Sequence, residues 1–383
     1  MTLRSLEYRE NVDRPLEWSL DKIDFGPVNL IVGRNSSGKS RTLSVLMSLA
    51  TNLTGRRPPG DSGEYNVVFD NGSEIYNYEV AFRDEKIVQE SVQINESIYL
   101  TRRPDGFGEL RFDGFDDQTK LMPFQSPPEQ FAAFTRRDSL QHSYLEPLIQ
   151  WAESVRYYPF AGALGKDVLS AFVSTGNVAD DRDPMHTSAL FRAGVKEFGK
   201  SFSEALVKDL VSLDYNITNI DIGQPTTVRI ESPNTQFNCL NVSEEGIGAP
   251  FDQISMSNGM YRALAVLINL NLTILRKSAA TVLIDDIGEG LDYERSVSFI
   301  KIVREKCIKA DVQLIMSTND KFAMNAVPLA EWTVLVRNGN RVTSLNQKNH
   351  TELFEDFRFT GLSNFNFFEM NSKGPAPITT LDD

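Results

Sequence analysis

Cysteine and histidine are scarce, with only Cys239, Cys307 and three histidines in 383 residues. Two cysteines cannot make a disulfide framework, and neither stands at metal-ligand spacing, so both read as inert packing residues and structural zinc is not expected. No apolar run approaches the roughly 18 to 20 residues that a membrane-spanning helix needs. The N-terminal MTLRSLEYRENVDR is too charged for a secretory signal, so a cytoplasmic protein without a membrane partner is expected. Positive charge is also short: 39 Lys and Arg face 52 Asp and Glu, a net charge of −13. Contact with a phosphate backbone normally demands a basic surface, so nucleic acid is not the favoured partner, although a local basic groove stays open. No heptad pattern persists, and there is no internal repeat or low-complexity tract, which excludes a long coiled coil and a solenoid.

What is present is ample core: 41% of residues are hydrophobic, enough for one to three domains. VNLIVG, 28–33, is a β-branched apolar run behind Gly26 and Pro27, and it predicts a buried strand. RTLSVLMSLA, 41–50, places Leu43, Leu46, Met47 and Ala50 at helical spacing. From Glu64 to Asp113 short alternating segments are separated by turn residues, most clearly Asn71-Gly72 and Pro104-Asp105-Gly106, which predicts an antiparallel meander. QSPPEQ, 125–130, ends it. Patterns such as DSLQHSYLEPLIQWAE then predict a largely helical insertion, with VRYYPF as a short strand. Buried-strand signals return at SAATVLIDDIGEGLD, 278–292, and VQLIMSTND, 312–320, and EWTVLVRNGNRVTSL reads as a terminal hairpin. The resulting division is 1–125 (phosphate loop and β lobe), 126–245 (mostly helical insertion), 246–345 (second lobe) and 346–383 (a Phe-rich tail).

GRNSSGKS, 33–40, fits G-x-x-x-x-G-K-[ST], the phosphate loop of ATPases. Gly33 and Gly38 let the backbone curl, Arg34, Asn35, Ser36 and Ser37 turn their N–H groups inward, and the following helix adds its positive end, with Arg41 in its first turn. Lys39 is expected to reach the β and γ phosphates of ATP, and the Ser40 hydroxyl to ligate Mg²⁺. VLIDD, 282–286, is an apolar strand ending in two carboxylates: Asp285 suits Mg²⁺, and Asp286 suits the orientation of an attacking water. Glu289, with its longer reach, is the rival to Asp286.

SMSNGMYRALAVLINLNLTIL, 255–275, is a Ser- and Gly-containing turn opening a helix with Leu264, Leu267, Ile268 and Leu272 on one face. With Met256-Ser257-Asn258-Gly259-Met260-Tyr261-Arg262 it resembles the signature loop of the ABC-type ATPase clan. That resemblance implies an α/β phosphate-loop NTPase of ABC type, in which Ser257, Asn258 and Gly259 grip the γ-phosphate bound by a second subunit of a homodimer or higher homo-oligomer. Asn258 stands where the clan usually has a glycine. Gly290-Leu291-Asp292 resembles the loop that meets the opposite subunit, and STND, 317–320, resembles the switch loop, with Asn319 in place of the usual histidine. An amide donates a hydrogen bond but carries no charge, so slow or partner-gated hydrolysis is expected. The clan's glutamine loop makes Gln125 a candidate metal ligand. The whole pattern looks most like ATPases related to RecF and to the overcoming-lysogenization-defect nucleases, which implies control of a separate effector protein in prokaryotic defence. The alternative is a RecF-like DNA-clamping or repair ATPase. In the tail, Phe354, Phe357, Phe359, Phe365, Phe367 and Phe368 crowd a polar frame, so they fold back on the core or meet a partner.

Overall fold

A computed structural model describes residues 1–112, 121–171, 182–228, 237–278 and 281–372. In chain order the strands begin with β1 (Thr2–Glu10), β2 (Trp18–Asp24) and β3 (Val28–Gly33), followed after helix α1 (Lys39–Leu53) by β4 (Ser62–Asp70), β5 (Ile75–Arg83), β6 (Lys86–Ile94), β7 (Ser97–Arg102), β8 (Phe107–Arg111) and β9 (Leu121–Gln125). Helices α2 (Ala132–Thr135) and α3 (Glu146–Ser154) lead to β10 (Val155–Pro159) and β11 (Ser170–Ala171). Then come α4 (Thr187–Phe198), α5 (Lys200–Val211), β12 (Ile217–Gly223), β13 (Phe237–Glu244), β14 (Phe251–Asp252), α6 (Asn258–Arg276) and β15 (Thr281–Asp285). The chain closes with α7 (Tyr293–Lys309), β16 (Gln313–Thr318), α8 (Lys321–Ala326), β17 (Trp332–Asn338), β18 (Arg341–Asn346), α9 (Thr351–Arg358) and α10 (Asn364–Asn371). The fold is mixed α/β.

Two compact units divide the chain: one comprises 1–155, 313–319 and 328–383, the other 156–312 and 320–327. This division differs from the sequence-based one. The region 126–245 carries β10 to β13 as well as helices, and α3 belongs to the first unit because its Trp151 packs edge-on against Phe69 of β4, ring centroids 4.6 Å apart.

In the first unit the strand order is β16-β3-β17-β18-β2-β1-β4-β5-β6-β7-β8-β9. β3 lies parallel to β16 on one side and β17 on the other, and all its residues are buried, which accounts for its unbroken apolar run. From β4 to β9 every pairing is antiparallel. β5 buries Tyr76, Tyr78, Val80 and Phe82 at alternate positions, so this lobe has one apolar face. The Tyr65 hydroxyl of β4 donates to the Val45 carbonyl of α1 at 3.3 Å, tying the lobe to the helix behind the phosphate loop.

The segment after β9 is held by a buried charge pair. Arg102 donates to the carbonyls of Gln130 (2.5 Å) and Pro127 (2.7 Å). Glu90 lies 3.6 Å from Arg102 and accepts from the Ala132 and Ala133 N–H groups (2.6 and 2.9 Å) and from the Tyr78 hydroxyl (3.1 Å). Burial pushes the Glu90 carboxyl up, and these donors pull against it. In the tail, Phe367 packs on Phe354 and Phe357 at 4.6 and 5.0 Å between centroids, all three buried in the first unit, while Phe359 is 90% exposed.

In the second unit α6 is buried along nearly its whole length, which its apolar run demands, and it packs against α4, α5 and α7. β12 and β13 pair antiparallel, with β11 and β14 also beside β13.

Arg102→Ala should lower the unfolding free energy by about 3 to 5 kcal/mol, because Glu90 is left charged and buried without its cation. Urea denaturation of the variant beside the parent measures this.

Candidate nucleotide-binding site

The turn from β3 into α1 is shaped by two glycines. A Cβ on Gly33 would lie 2.3 Å from Ser37 Oγ and 2.9 Å from the Leu335 carbonyl of β17, so the loop closes against the sheet only with glycine there. Gly38 caps α1 with a left-handed φ of 106°. Lys39 folds back and donates to the carbonyls of Gly33 (3.0 Å) and Arg34 (3.2 Å). Ser37 Oγ is buried without a hydrogen-bond partner among the described residues.

A cleft of about 370 Å³ opens over this turn, lined by Trp18, Asn35, Ser36, Lys39, Ser40, Arg41, Asn319 and Arg337 among others. Among the described residues no carboxylate is in its lining, whereas Lys39, Arg41 and Arg337 are, with Arg41 also paired to Glu10, a charge set that suits a polyanion. Asn319 arrives because β16 runs parallel beside β3 with Thr318 opposite Val32, so the residue after β16 emerges next to Gly33. Mg²⁺ is held in such sites by one or two protein oxygens plus phosphate oxygens and water, and the Ser40 hydroxyl fits that role.

The second unit contains the remaining candidates. Asp285 ends β15 buried, and Asp286 follows in the left-handed region at φ 53°. Glu289 is exposed, and its carbonyl accepts from Arg262 Nη1 at 3.1 Å. Ser257 caps α6, its hydroxyl accepting from the Met260 N–H at 3.2 Å, and Asn258 Oδ1 accepts from Lys166 Nζ at 2.7 Å. A recess of about 240 Å³ beside this helix start is lined by Gly162, Lys166, Asn258, Tyr261 and Arg262 among others.

Gln125, Asp292 and Gly259 each make local contacts. Gln125 does not line the cleft: it ends the outermost strand of the β lobe, where its carbonyl is taken by Arg136. Asp292 caps α7, accepting from the Arg295 N–H (3.0 Å) and Nη1 (2.6 Å). Gly259 is needed inside the unit too, since a Cβ there would lie 2.4 Å from the Gly290 carbonyl; a bulky residue would disturb local packing before it met any second subunit.

Solved structures share this fold. An Smc head bound to the C-winged helix domain of ScpA superposes with a TM-score of 0.53 and 13% identity, over 92% of this chain and 100% of that one. The Smc head domain with an extended coiled coil, bound to the C-terminal domain of ScpA from Pyrococcus furiosus, gives 0.51 and 12%, over 93% and 99%. No protein-family model matches the chain, and no curated protein matches it in sequence.

The sequence pattern pointed to the loop and left Tyr8, Trp18 and Phe25 open as stacking rings, but it missed Arg337 and Lys166. Trp18 and Arg337 reach the cleft through the adjacency of β2, β18 and β17, which no local motif records.

Asp252 fixes the approach to the Ser257 turn. It accepts from the N–H groups of Thr226 and Thr227 (2.7 Å each) and of Ser255 (3.1 Å). Burial pushes this carboxyl up, but the donors outweigh it and hold it well below the usual carboxylate range. Its stabilisation is therefore present above the unfolded value of about 4 and is lost as pH falls below it. Asp252→Asn should cost about 1 to 3 kcal/mol at pH 7. That difference should shrink towards pH 3, as read by urea unfolding at both pH values.

Proposed function

We propose that the chain is an ABC-type ATPase that binds ATP with Mg²⁺ at the Gly33–Ser40 loop and hydrolyses it slowly. The observation that carries this reading is the cationic cleft built over the β3–α1 turn, with Lys39 and Asn319 on its wall. Lys39 would exchange the Gly33 and Arg34 carbonyls for phosphate oxygens, gaining a charge-assisted contact. Bound Mg²⁺ would neutralise phosphate charge, with Ser40 and Asp285 as its protein oxygens. Asp286 is assigned the attacking water, ahead of Glu289, and Asn319 supplies a neutral donor at the γ-phosphate, which keeps turnover low.

The finer reading is a nucleotide-dependent homodimer. The Ser257-Asn258-Gly259 turn of one subunit faces the phosphate of the other, and opening or closing controls a separate protein partner. The structural neighbours support a protein partner, since both Smc heads were solved bound to a domain of ScpA. The effector-in-defence role is carried by the sequence resemblance to the RecF and overcoming-lysogenization-defect group. The alternative, a DNA clamp, is disfavoured by the charge of −13.

Lys39→Ala should abolish ATP binding, and Asp286→Asn should bind ATP yet lose turnover by about 100-fold or more. In the Asp286→Asn protein, light scattering should show the molar mass doubling with ATP. Normal affinity in Lys39→Ala would remove the phosphate-loop reading, and DNA affinity that rises with ATP and falls with salt would favour the clamp.

A further inference from the structure

Every aromatic ring that precedes the phosphate loop and could stack on a nucleobase is already used. Tyr8, Trp18 and Phe25 are all buried, with Trp18 1% exposed. Tyr8 packs on Tyr65 at 4.5 Å between centroids. Trp18 carries the Arg41 guanidinium over its ring at 4.3 Å, and its edge lies against Gly38, where a Cβ would approach to 3.2 Å. Among the described residues Trp18 is also the only aromatic one lining the cleft. The ring is a floor beneath an arginine.

The arginines, in contrast, are placed for a ligand. Arg41 is paired with Glu10 and propped on Trp18. Arg337, at the outer end of β17, donates Nη1 to the Ser36 carbonyl at 3.0 Å and Nε to the Gly339 carbonyl at 2.7 Å. These bonds fix its plane against the loop and leave Nη2 without a partner among the described residues. Burial lowers the Arg41 pKa, Tyr8 works against that, and the Arg337 charge lowers it again.

We propose that Arg337 and Arg41 form an arginine pair that grips the phosphates of the bound nucleotide alongside Lys39, and that this pair takes the place of a stacking ring. The proposal rests on the phosphate-loop reading and adds a specificity to it. A guanidinium recognises phosphate oxygens by paired N–H donors and charge. A site that makes no hydrogen bonds to the base edge has little means of rejecting one base for another. The ligand class is therefore a nucleoside triphosphate selected by its phosphate chain and only weakly by its base.

The test is calorimetric titration of the full chain with MgATP, MgGTP, MgCTP and magnesium tripolyphosphate, for the parent, Arg337→Ala, Arg337→Gln and Lys39→Ala. The parent should bind the three nucleotides within about fivefold of one another and bind tripolyphosphate measurably. Arg337→Ala should weaken all of them together by about tenfold or more. Arg337→Gln, which keeps a donor for Ser36, should lose affinity to a similar degree, showing that charge and not loop support is at work. A preference for ATP over GTP of a hundredfold, or unchanged affinity in both Arg337 variants while Lys39→Ala loses binding, would overturn the arginine pair and leave the phosphate loop standing. Unchanged affinity in Lys39→Ala would overturn both.

Discussion

Between β3 and β17 there is no room for a side chain at position 33. The Leu335 carbonyl and Ser37 Oγ would both lie within 3 Å of any Cβ there. With glycine, the backbone closes against the neighbouring strand, Ser36 comes within reach of Arg337, and Lys39 can fold over the Gly33 carbonyl. The cleft and its cations follow from that contact. A larger residue would push the loop away from β17 and separate Lys39 from Arg337. Because β3 is held parallel between two strands and is wholly buried, the sheet cannot move aside to accommodate it.

The rest of the first unit keeps α1 in place behind this turn. Tyr65 bonds to the helix, α3 packs against it, and the Phe69–Trp151 contact fastens α3 to the meander. The buried Glu90–Arg102 pair then anchors the chain leaving β9 by its carbonyls and N–H groups. The cost of burying these charges is offset by the carbonyls on Arg102 and the N–H and hydroxyl donors on Glu90, although Arg102 Nε has no hydrogen-bond partner among the described residues. In the second unit Arg262 plays a comparable role, donating to the carbonyls of Ala161, Gly162 and Glu289 and so joining the start of α6 to two loops.

Local chemistry was legible in the sequence. VNLIVG is a buried strand, the phosphate-loop spacing falls between strand and helix, and the Asn71-Gly72 and Pro104-Asp105-Gly106 turns have Gly72 and Gly106 at φ 79° and 80°. Two other hairpins of the meander turn through Asp84-Glu85 and Asn95-Glu96, all at positive φ without glycine, so no turn signal marked them. Asp292 reads as an interface residue in a motif, and it also caps α7 and pairs with Arg295, a local role the motif does not record. Gln125 follows the β lobe in sequence and ends β9, the last strand of the antiparallel run that begins at β4. The Phe-rich tail divides as its composition alone cannot show: Phe354, Phe357 and Phe367 are core, and Phe359 is exposed.

The central claim is that the Gly33–Ser40 backbone itself receives the phosphates. Hydrogen–deuterium exchange of the unmodified chain, with and without MgATP, reads those amides directly. Slowed exchange in peptides spanning Gly33 to Arg41 is the expected result, with little change in the β lobe from Ser62 to Arg111. Saturable ATP binding that leaves exchange across Gly33 to Arg41 unaltered would contradict it.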